Sequence, residues 1–186
     1  MPKIIYFAMT SADGFIEDRR GSIGFHTPDA EEHAFINGLH SSAGLFILDA
    51  RDYQIMKWWD TPAASAADET AEVLAYTEFW QKVHKHVVSA DRPDDLPAGY
   101  GYSETLDTQN LRAWLAANEK DVMVSAGVAG QCLREGLLDE VWLMVVPVLL
   151  GAGLPVSIGE EAQLKLLEPV KVGKGWLFNR YAVLNK

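Results

Sequence analysis

The chain has 186 residues, of which 48% are hydrophobic and 23% are charged, and these proportions are typical of a globular protein rather than a disordered one. At roughly 100–200 residues per domain, this length predicts a single domain over residues 1–186. The net charge of −10 argues against sequence-independent binding of nucleic acid, because such binding needs cations that face the phosphates. The lone cysteine, Cys132, cannot form an internal disulfide, so we expect a reducing compartment, the cytoplasm.

A long uncharged segment raises the question of a membrane span. It runs from Val141 to Ile158 and contains Pro147 and Pro155, which suit a buried strand and a following loop better than a spanning helix. The apolar N-terminus is followed at once by charges from Asp13 onward, unlike a signal peptide. We therefore expect no membrane partner.

Short apolar segments alternate with helical patterns through the first half of the chain. The predicted strands are Lys3–Met9, Leu45–Leu48 and His86–Ser89. Thr27 as a cap and Pro28 as the first helical residue predict the start of the first helix, and residues 69–83 predict the second. Residues 49–53 and 63–67 are interpreted as loops.

The second half continues the alternation and then changes character. Helices are predicted over residues 108–118 and 128–135, and strands over residues 100–106, 122–124 and 141–150. Gln163–Val172 and Trp176–Leu184 predict an antiparallel hairpin around glycines. Alternating strands and helices indicate a parallel sheet with helices on both faces, and such sheets bind ligands at the carboxyl ends of their strands. The loops at that edge begin at Thr10, Asp49, Ser89 and Ser125.

Three segments resemble one known family. The segment from Gly136 to Gly153 reads GLLDEVWLMVVPVLLGAG, residues 10–16 read TSADGFI, and a third similarity runs from Pro28 to Thr61. They resemble the reductase domain at the C-terminal end of the bifunctional riboflavin-pathway deaminase/reductase. The resemblance implies a three-layer α/β/α dihydrofolate-reductase-like domain, mostly parallel with an antiparallel C-terminal hairpin. It also implies an NADPH-dependent reductase of a small heterocyclic substrate and a homodimer.

The resemblance implies roles for particular residues. Catalytic roles fall on Asp13 and Glu32, and substrate contacts fall on Phe15 and Trp58. The cofactor-binding positions are Ala8, Arg51, Tyr53, Ser89, Ser125, Ala126, Gly127 and Val128. The histidine pairs, such as His84 with His86, lack a third clustered ligand, so no metal is expected.

The chain departs from the family where the cofactor phosphates would bind. Asp49 stands at a family glycine, Ala50 and Ala90 stand at family arginines, and Val124-Ser125 replaces a glycine pair. These changes weaken phosphate binding, and NADH, which lacks the 2′-phosphate, would suffer less than NADPH. Two main hypotheses follow: an NAD(P)H-dependent reductase, or a family member with a degenerate dinucleotide site that binds a small molecule without the cofactor. A purely structural dimer module is the third.

Overall fold

A computed structural model describes residues 1–66 and 68–184. Its helices are α1 (Ala30–His40), α2 (Ala50–Met56), α3 (Ala71–Lys82), α4 (Thr108–Ala117) and α5 (Ala126–Arg134). Its strands are β1 (Ile4–Ser11), β2 (Phe15–Asp18), β3 (Ala43–Asp49), β4 (His84–Val88), β5 (Gly101–Ser103), β6 (Asp121–Val124), β7 (Glu140–Val146), β8 (Gly153–Pro155), β9 (Gln163–Val172) and β10 (Trp176–Leu184). Short 3-10 turns cover Gly24–His26, Lys57–Asp60 and Pro62–Ser65.

One eight-stranded sheet organises the molecule. Its strand order is β5-β4-β3-β6-β1-β7-β10-β9. Pairing is parallel from β5 to β7 and antiparallel from β7 through β10 to β9. The predicted fold class, a mostly parallel sheet with an antiparallel C-terminal hairpin, is confirmed.

Two apolar layers cover the two faces of this sheet. On one face, Ile36 of α1 and Trp80 of α3 pack on side chains from the central strands. On the other face, Leu111 of α4 and Cys132 of α5 pack on Ile4 and its neighbours. Alternate residues of a strand point to opposite faces, so each central strand contributes to both layers. Each fully buried aliphatic side chain stabilises the fold by about 1.5–3 kcal/mol.

The starts of α1, α3 and α5 each differ by two residues from the sequence prediction, and α2 was not predicted as a helix. Helix α1 begins at Ala30 because Asp29, not Thr27, is its cap: the Asp29 carboxylate accepts from the amides of Glu31 and Glu32, and the Glu32 side chain accepts from the Asp29 amide. Residues 50–53, interpreted as a loop, form the first turn of α2. An aspartate cap at the start of α1 and of α2 satisfies amides that have no partner within the helix.

Several strand predictions also need correction. The predicted strand over residues 141–150 ends at Val146, just before Pro147, whose nitrogen cannot donate to a ladder. The short strands β2 and β8 pair with each other outside the main sheet and were not predicted. Residues 63–65, interpreted as loop, lie in a 3-10 turn, and Ala67 lies outside the described residues.

The outer strand β9 leaves one edge of the sheet uncovered. Leu164, Leu166 and Leu167 are exposed on it, and Leu177 and Leu184 are exposed on β10. Among the described residues, no helix combines the length and the apolar character that a membrane crossing requires.

Candidate functional site

A cavity of about 460 Å³ opens at the carboxyl ends of β1, β3 and β6, between α1, α2 and α3. We call it the central pocket. Its walls are largely aromatic and thioether side chains, among them Phe7, Met9, Phe46, Met56, Trp58 and Trp59. Within the part of the chain that the structure describes, its lining includes no lysine or arginine, and Asp52 is its one carboxylate. A pocket of this kind suits a small ring compound.

The aromatic wall is built by the turn after α2 and by α3. The rings of Trp58 and Trp59 meet edge to face with centroids 4.8 Å apart, and the Trp59 and Tyr76 centroids are 4.5 Å apart. Trp58 is 41% exposed and stands at the opening. The sequence predicted a substrate contact at Trp58, and the structure places it at the central pocket.

His40 supplies a neutral polar group to the pocket. Its Nδ1 lies 2.8 Å from the Tyr76 hydroxyl, and its Nε2 has no hydrogen-bond partner among the described residues. Burial lowers the pKa of His40 to about 4, so the imidazole is uncharged at neutral pH. The pocket therefore gains no positive charge from this residue.

Asp52, in the first turn of α2, points a carboxyl group at the pocket. Its amide donates to Asp49 over 2.9 Å, but its carboxyl group has no hydrogen-bond partner among the described residues. Burial, and then the charge of Asp49, raise the pKa of Asp52 to about 7, while Arg51 acts in the opposite direction. A carboxyl group with a pKa near neutrality can bind a cation or transfer a proton.

The Asp49 carboxylate occupies the space between the starts of two helices. One oxygen accepts from the amides of Arg51 and Asp52 in α2, over 3.0 and 2.9 Å, and the other accepts from the amide of Gly127 in α5 over 3.1 Å. The Asp49 amide donates to Ser125 Oγ over 2.8 Å. A Cβ at residue 127 would lie 2.9 Å from the Asp49 carboxylate. An internal anion thus takes the helix-terminal amides that would otherwise bind a phosphate.

The predicted cofactor-binding side chains on α2 have partners within the protein. Arg51 forms an ion pair with Glu17, which is buried on β2. Tyr53 is buried, and its hydroxyl donates to the carbonyl of Asp95 over 2.9 Å. The Tyr53 hydroxyl is thus engaged within the protein, and the charge of the exposed Arg51 side chain is compensated by Glu17.

The remaining predicted cofactor residues are divided among the pocket lining, the start of α5, the buried layer and a separate loop. Ser125 lines the central pocket, and Ala126 and Gly127 begin α5. Ala8 and Val128 are buried in the layer beneath α5. The Ser89 hydroxyl, on a separate loop, donates to the Asp91 carbonyl over 2.7 Å.

Asp13 and Glu32, predicted as catalytic, hold loops in place and do not line the central pocket. The Asp13 carboxylate accepts from the amides of Leu150 and Gly151, over 3.1 and 2.7 Å. These bonds, with that from the Ser11 hydroxyl, lower the pKa of Asp13 to about 2. Glu32 is buried, and besides capping α1 it accepts from the amide of Lys174 over 3.3 Å. Phe15, predicted as a substrate contact, pairs with Pro155 in the small sheet.

The sequence analysis did not predict Asp52, His40 or Tyr76 as residues that line the pocket. A signal existed for two of them. His33, Ile36 and His40 recur at helical spacing in α1, and Val73 and Tyr76 do so in α3, which places each set on one helix face. Nothing in the spacing indicates that these two faces border a cavity.

The cofactor implied by the resemblance does not fit these residues in the family manner. Asp49 fills the position between the helix starts, and the charge of Arg51 is neutralised by Glu17. A phosphate at that position would face a carboxylate at contact distance, which costs about 4 kcal/mol at an effective dielectric constant of 20. That repulsion corresponds to about a thousandfold in affinity.

Comparisons with known proteins agree on the family and the fold. The family model described as RibD C-terminal domain matches residues 2–178. No curated protein sequence matches the chain significantly.

A protein from Shewanella sp. PV-4 assigned to riboflavin biosynthesis is 19% identical, with a TM-score of 0.70 over 98% of this chain and 99% of that one. A pyrimidine reductase-like protein from Corynebacterium diphtheriae is 14% identical, with a TM-score of 0.64 over 100% and 93%. A diaminohydroxyphosphoribosylaminopyrimidine deaminase/5-amino-6-(5-phosphoribosylamino)uracil reductase from Thermotoga maritima is 13% identical, with a TM-score of 0.68 over 98% of this chain. This chain spans only 57% of that bifunctional protein. At these identities the similarity establishes the fold.

Proposed function

This chain belongs to the RibD C-terminal domain family, and on that premise we propose that it binds a small, phosphate-free ring compound in the central pocket without anchoring a dinucleotide in the family manner. By family and fold it is a reductase-like protein. The proposal corresponds to the second of the two main hypotheses drawn from the sequence. It concerns what the pocket of this particular chain accepts.

The observation that carries the proposal is the position of the Asp49 carboxylate. It satisfies three amides at the starts of α2 and α5, while the adjoining pocket of about 460 Å³ remains open. The phosphate position is therefore filled and the ring position is free. This combination suits a ligand that consists of the ring alone.

Calorimetric titration tests both parts of the proposal. NADPH and NADH are each titrated up to millimolar concentration, beside a panel of neutral bicyclic probes that includes quinoline and 1-methylnaphthalene. We expect no dinucleotide binding, measurable binding of bicyclic probes, and at least tenfold weaker probe binding in Ile55→Trp, because Ile55 lines the pocket. Micromolar binding of NADPH to the wild type, or probe binding that Ile55→Trp leaves unchanged, contradicts the proposal.

A second candidate is reduction of a ring compound in the same pocket with NADH or NADPH as the reductant, the first hypothesis drawn from the sequence. Asp52 favours it, because a pKa of about 7 is near the optimum for a proton donor at neutral pH. The test is the decrease in nicotinamide absorbance when the protein is mixed with NADH or NADPH and a panel of heterocyclic substrates. Turnover that disappears in Asp52→Asn supports this candidate, and its absence throughout the panel leaves the binding function.

We also propose a cytoplasmic homodimer, as the resemblance implies. The exposed leucines of β9 and β10, such as Leu166 and Leu177, offer an apolar surface at the terminal hairpin that a second copy would cover. Sedimentation equilibrium of the wild type should give twice the 20.6 kDa monomer mass. Leu166→Lys should give the monomer, since a buried unpaired charge opposes association.

A further inference from the structure

We propose that the ligand of the central pocket is a planar organic cation, such as an N-alkylated heteroaromatic ring, and that Asp52 is the residue that selects it. This inference rests on the proposed function, because it names the class of compound that the same pocket binds. It assigns to Asp52 a role that the sequence analysis did not foresee.

The first support is the charge distribution around the cavity. Asp52 is the one carboxylate in the lining, and the lining of the described chain contains no lysine or arginine. The cation nearest in sequence, Arg51, is paired with Glu17. An anionic ligand would therefore meet a carboxylate with no compensating charge, whereas a cation would complete an ion pair that the protein itself leaves open.

The second support is the aromatic wall. Trp58, Trp59 and Tyr76 lie in contact with one another, with centroid separations of 4.8 and 4.5 Å, and Phe7 and Phe46 also line the pocket. The faces of aromatic rings attract cations through their quadrupoles, and tryptophan does so best. A flat cation thus gains both stacking area and charge attraction.

The third support is the lack of a partner for the Asp52 carboxyl group. The other carboxylates near the pocket are engaged: Asp49 accepts from three amides and Glu17 pairs with Arg51. Asp52 lines the cavity, and its carboxyl oxygens accept no hydrogen bond from the described residues. Asp52 is half-buried, and a carboxyl group that faces a cavity without a partner in the described chain is open to a ligand that supplies a charge or a donor.

The titration of the neighbouring groups leaves Asp52 as the one that responds near pH 7. Burial lowers the pKa of His26, His33 and His40 below the usual 6.5, so all three are neutral above pH 7. Burial raises the pKa of Tyr6 and Tyr76, so both phenols stay protonated. Two further charged groups lie near Asp52: Asp49, which caps α2, and Arg51 of α2, which is paired with Glu17.

A matched set of three ring probes tests the proposal by calorimetry. N-methylquinolinium carries a permanent charge, 1-methylnaphthalene has the same shape without charge, and 1-naphthoate is the corresponding anion. At pH 8 the wild type should bind N-methylquinolinium at least tenfold more tightly than 1-methylnaphthalene, and 1-naphthoate most weakly. Between pH 6 and pH 8 the affinity for the cation should rise about tenfold, as a pKa of about 7 requires.

Two variants isolate the contribution of Asp52. Asp52→Asn should abolish the pH dependence of cation binding. It should also reduce the preference for the cation to within about threefold, because only the cation–π attraction then remains. Asp91→Asn removes one acidic charge at an exposed site outside the pocket and should retain the full preference.

The outcomes separate the two proposals. If both neutral and cationic rings bind with equal affinity, or if Asp52→Asn retains the preference, the assignment to Asp52 is overturned while the ring-binding function stands. If no ring of the set binds and Ile55→Trp changes nothing, the ring-binding function fails and this inference fails with it.

Discussion

Replacing Asp52 by asparagine should stabilise the fold at alkaline pH. Because the pKa of this carboxyl group is raised from 3.8 to about 7 in the folded protein, the folded state holds a proton that the unfolded state releases. Stability from this group is complete below pH 3.8 and is lost as the pH rises to about 7. At about 1.4 kcal/mol per pH unit, the loss reaches about 4 kcal/mol at pH 8. Asparagine resembles the protonated acid and avoids that loss.

Urea unfolding of the wild type and Asp52→Asn, followed by tryptophan fluorescence, measures this difference. We expect the variant to be more stable by about 4 kcal/mol at pH 8 and by only about 1 kcal/mol at pH 4.5. Asp91→Asn serves as the control, with a change within about 0.5 kcal/mol at either pH. An Asp52→Asn variant that is no more stable than the wild type at pH 8, or whose advantage does not shrink in acid, would refute the reasoning.

Substitutions at three further positions have definite expected outcomes. Asp49→Ser retains a helix cap but cannot also reach Gly127, whereas Asp49→Ala loses both interactions, so urea unfolding should show Asp49→Ala to be less stable than Asp49→Ser by about 1 kcal/mol; equal stabilities would contradict the capping geometry. Glu140→Gln should lower the free energy of unfolding by about 3 kcal/mol at pH 7, because this buried carboxylate, with its pKa lowered to about 2, accepts from the side chains of Lys3 and Arg180. The loss should shrink as the pH falls below 4.5 and vanish below about pH 2, where the wild-type carboxylate becomes protonated. Asp13→Asn should speed hydrogen exchange at the Gly151 amide, because this amide donates to the Asp13 carboxylate over 2.7 Å. Unchanged protection of that amide would contradict the role of Asp13 in holding the loop.

The sheet could be predicted from the sequence because its central strands are continuous apolar segments. Ile4–Ser11 and Glu140–Val146 are buried along most of their length, and such runs are typical of strands with helices on both faces. The small pair β2 and β8 could not be predicted, because its strands have only 4 and 3 residues and a register shift after Phe15. Periodicity needs a longer segment to be recognised.

The site was predicted less completely, for reasons of tertiary structure. The sequence indicated that Asp49 disfavours a phosphate, but its bond to the Gly127 amide joins positions 78 apart. The raised pKa of Asp52 arises from burial among α1, α2 and α3, and no local pattern encodes that burial. Capping of α2 by Asp49 was open to prediction, since aspartate is a preferred cap, but the family resemblance directed attention to a loop.

The carboxylate of Asp49 also affects how the stability of this protein depends on its surroundings. A protein that binds an external dinucleotide gains stability by mass action, so its melting temperature follows the concentration of that cofactor. Here the anion between α2 and α5 is part of the chain, and it is present at full occupancy whatever the cellular pool contains. If the proposed function holds, this junction needs no external ligand, and the melting temperature of the protein should not change with the concentration of NADH or NADPH.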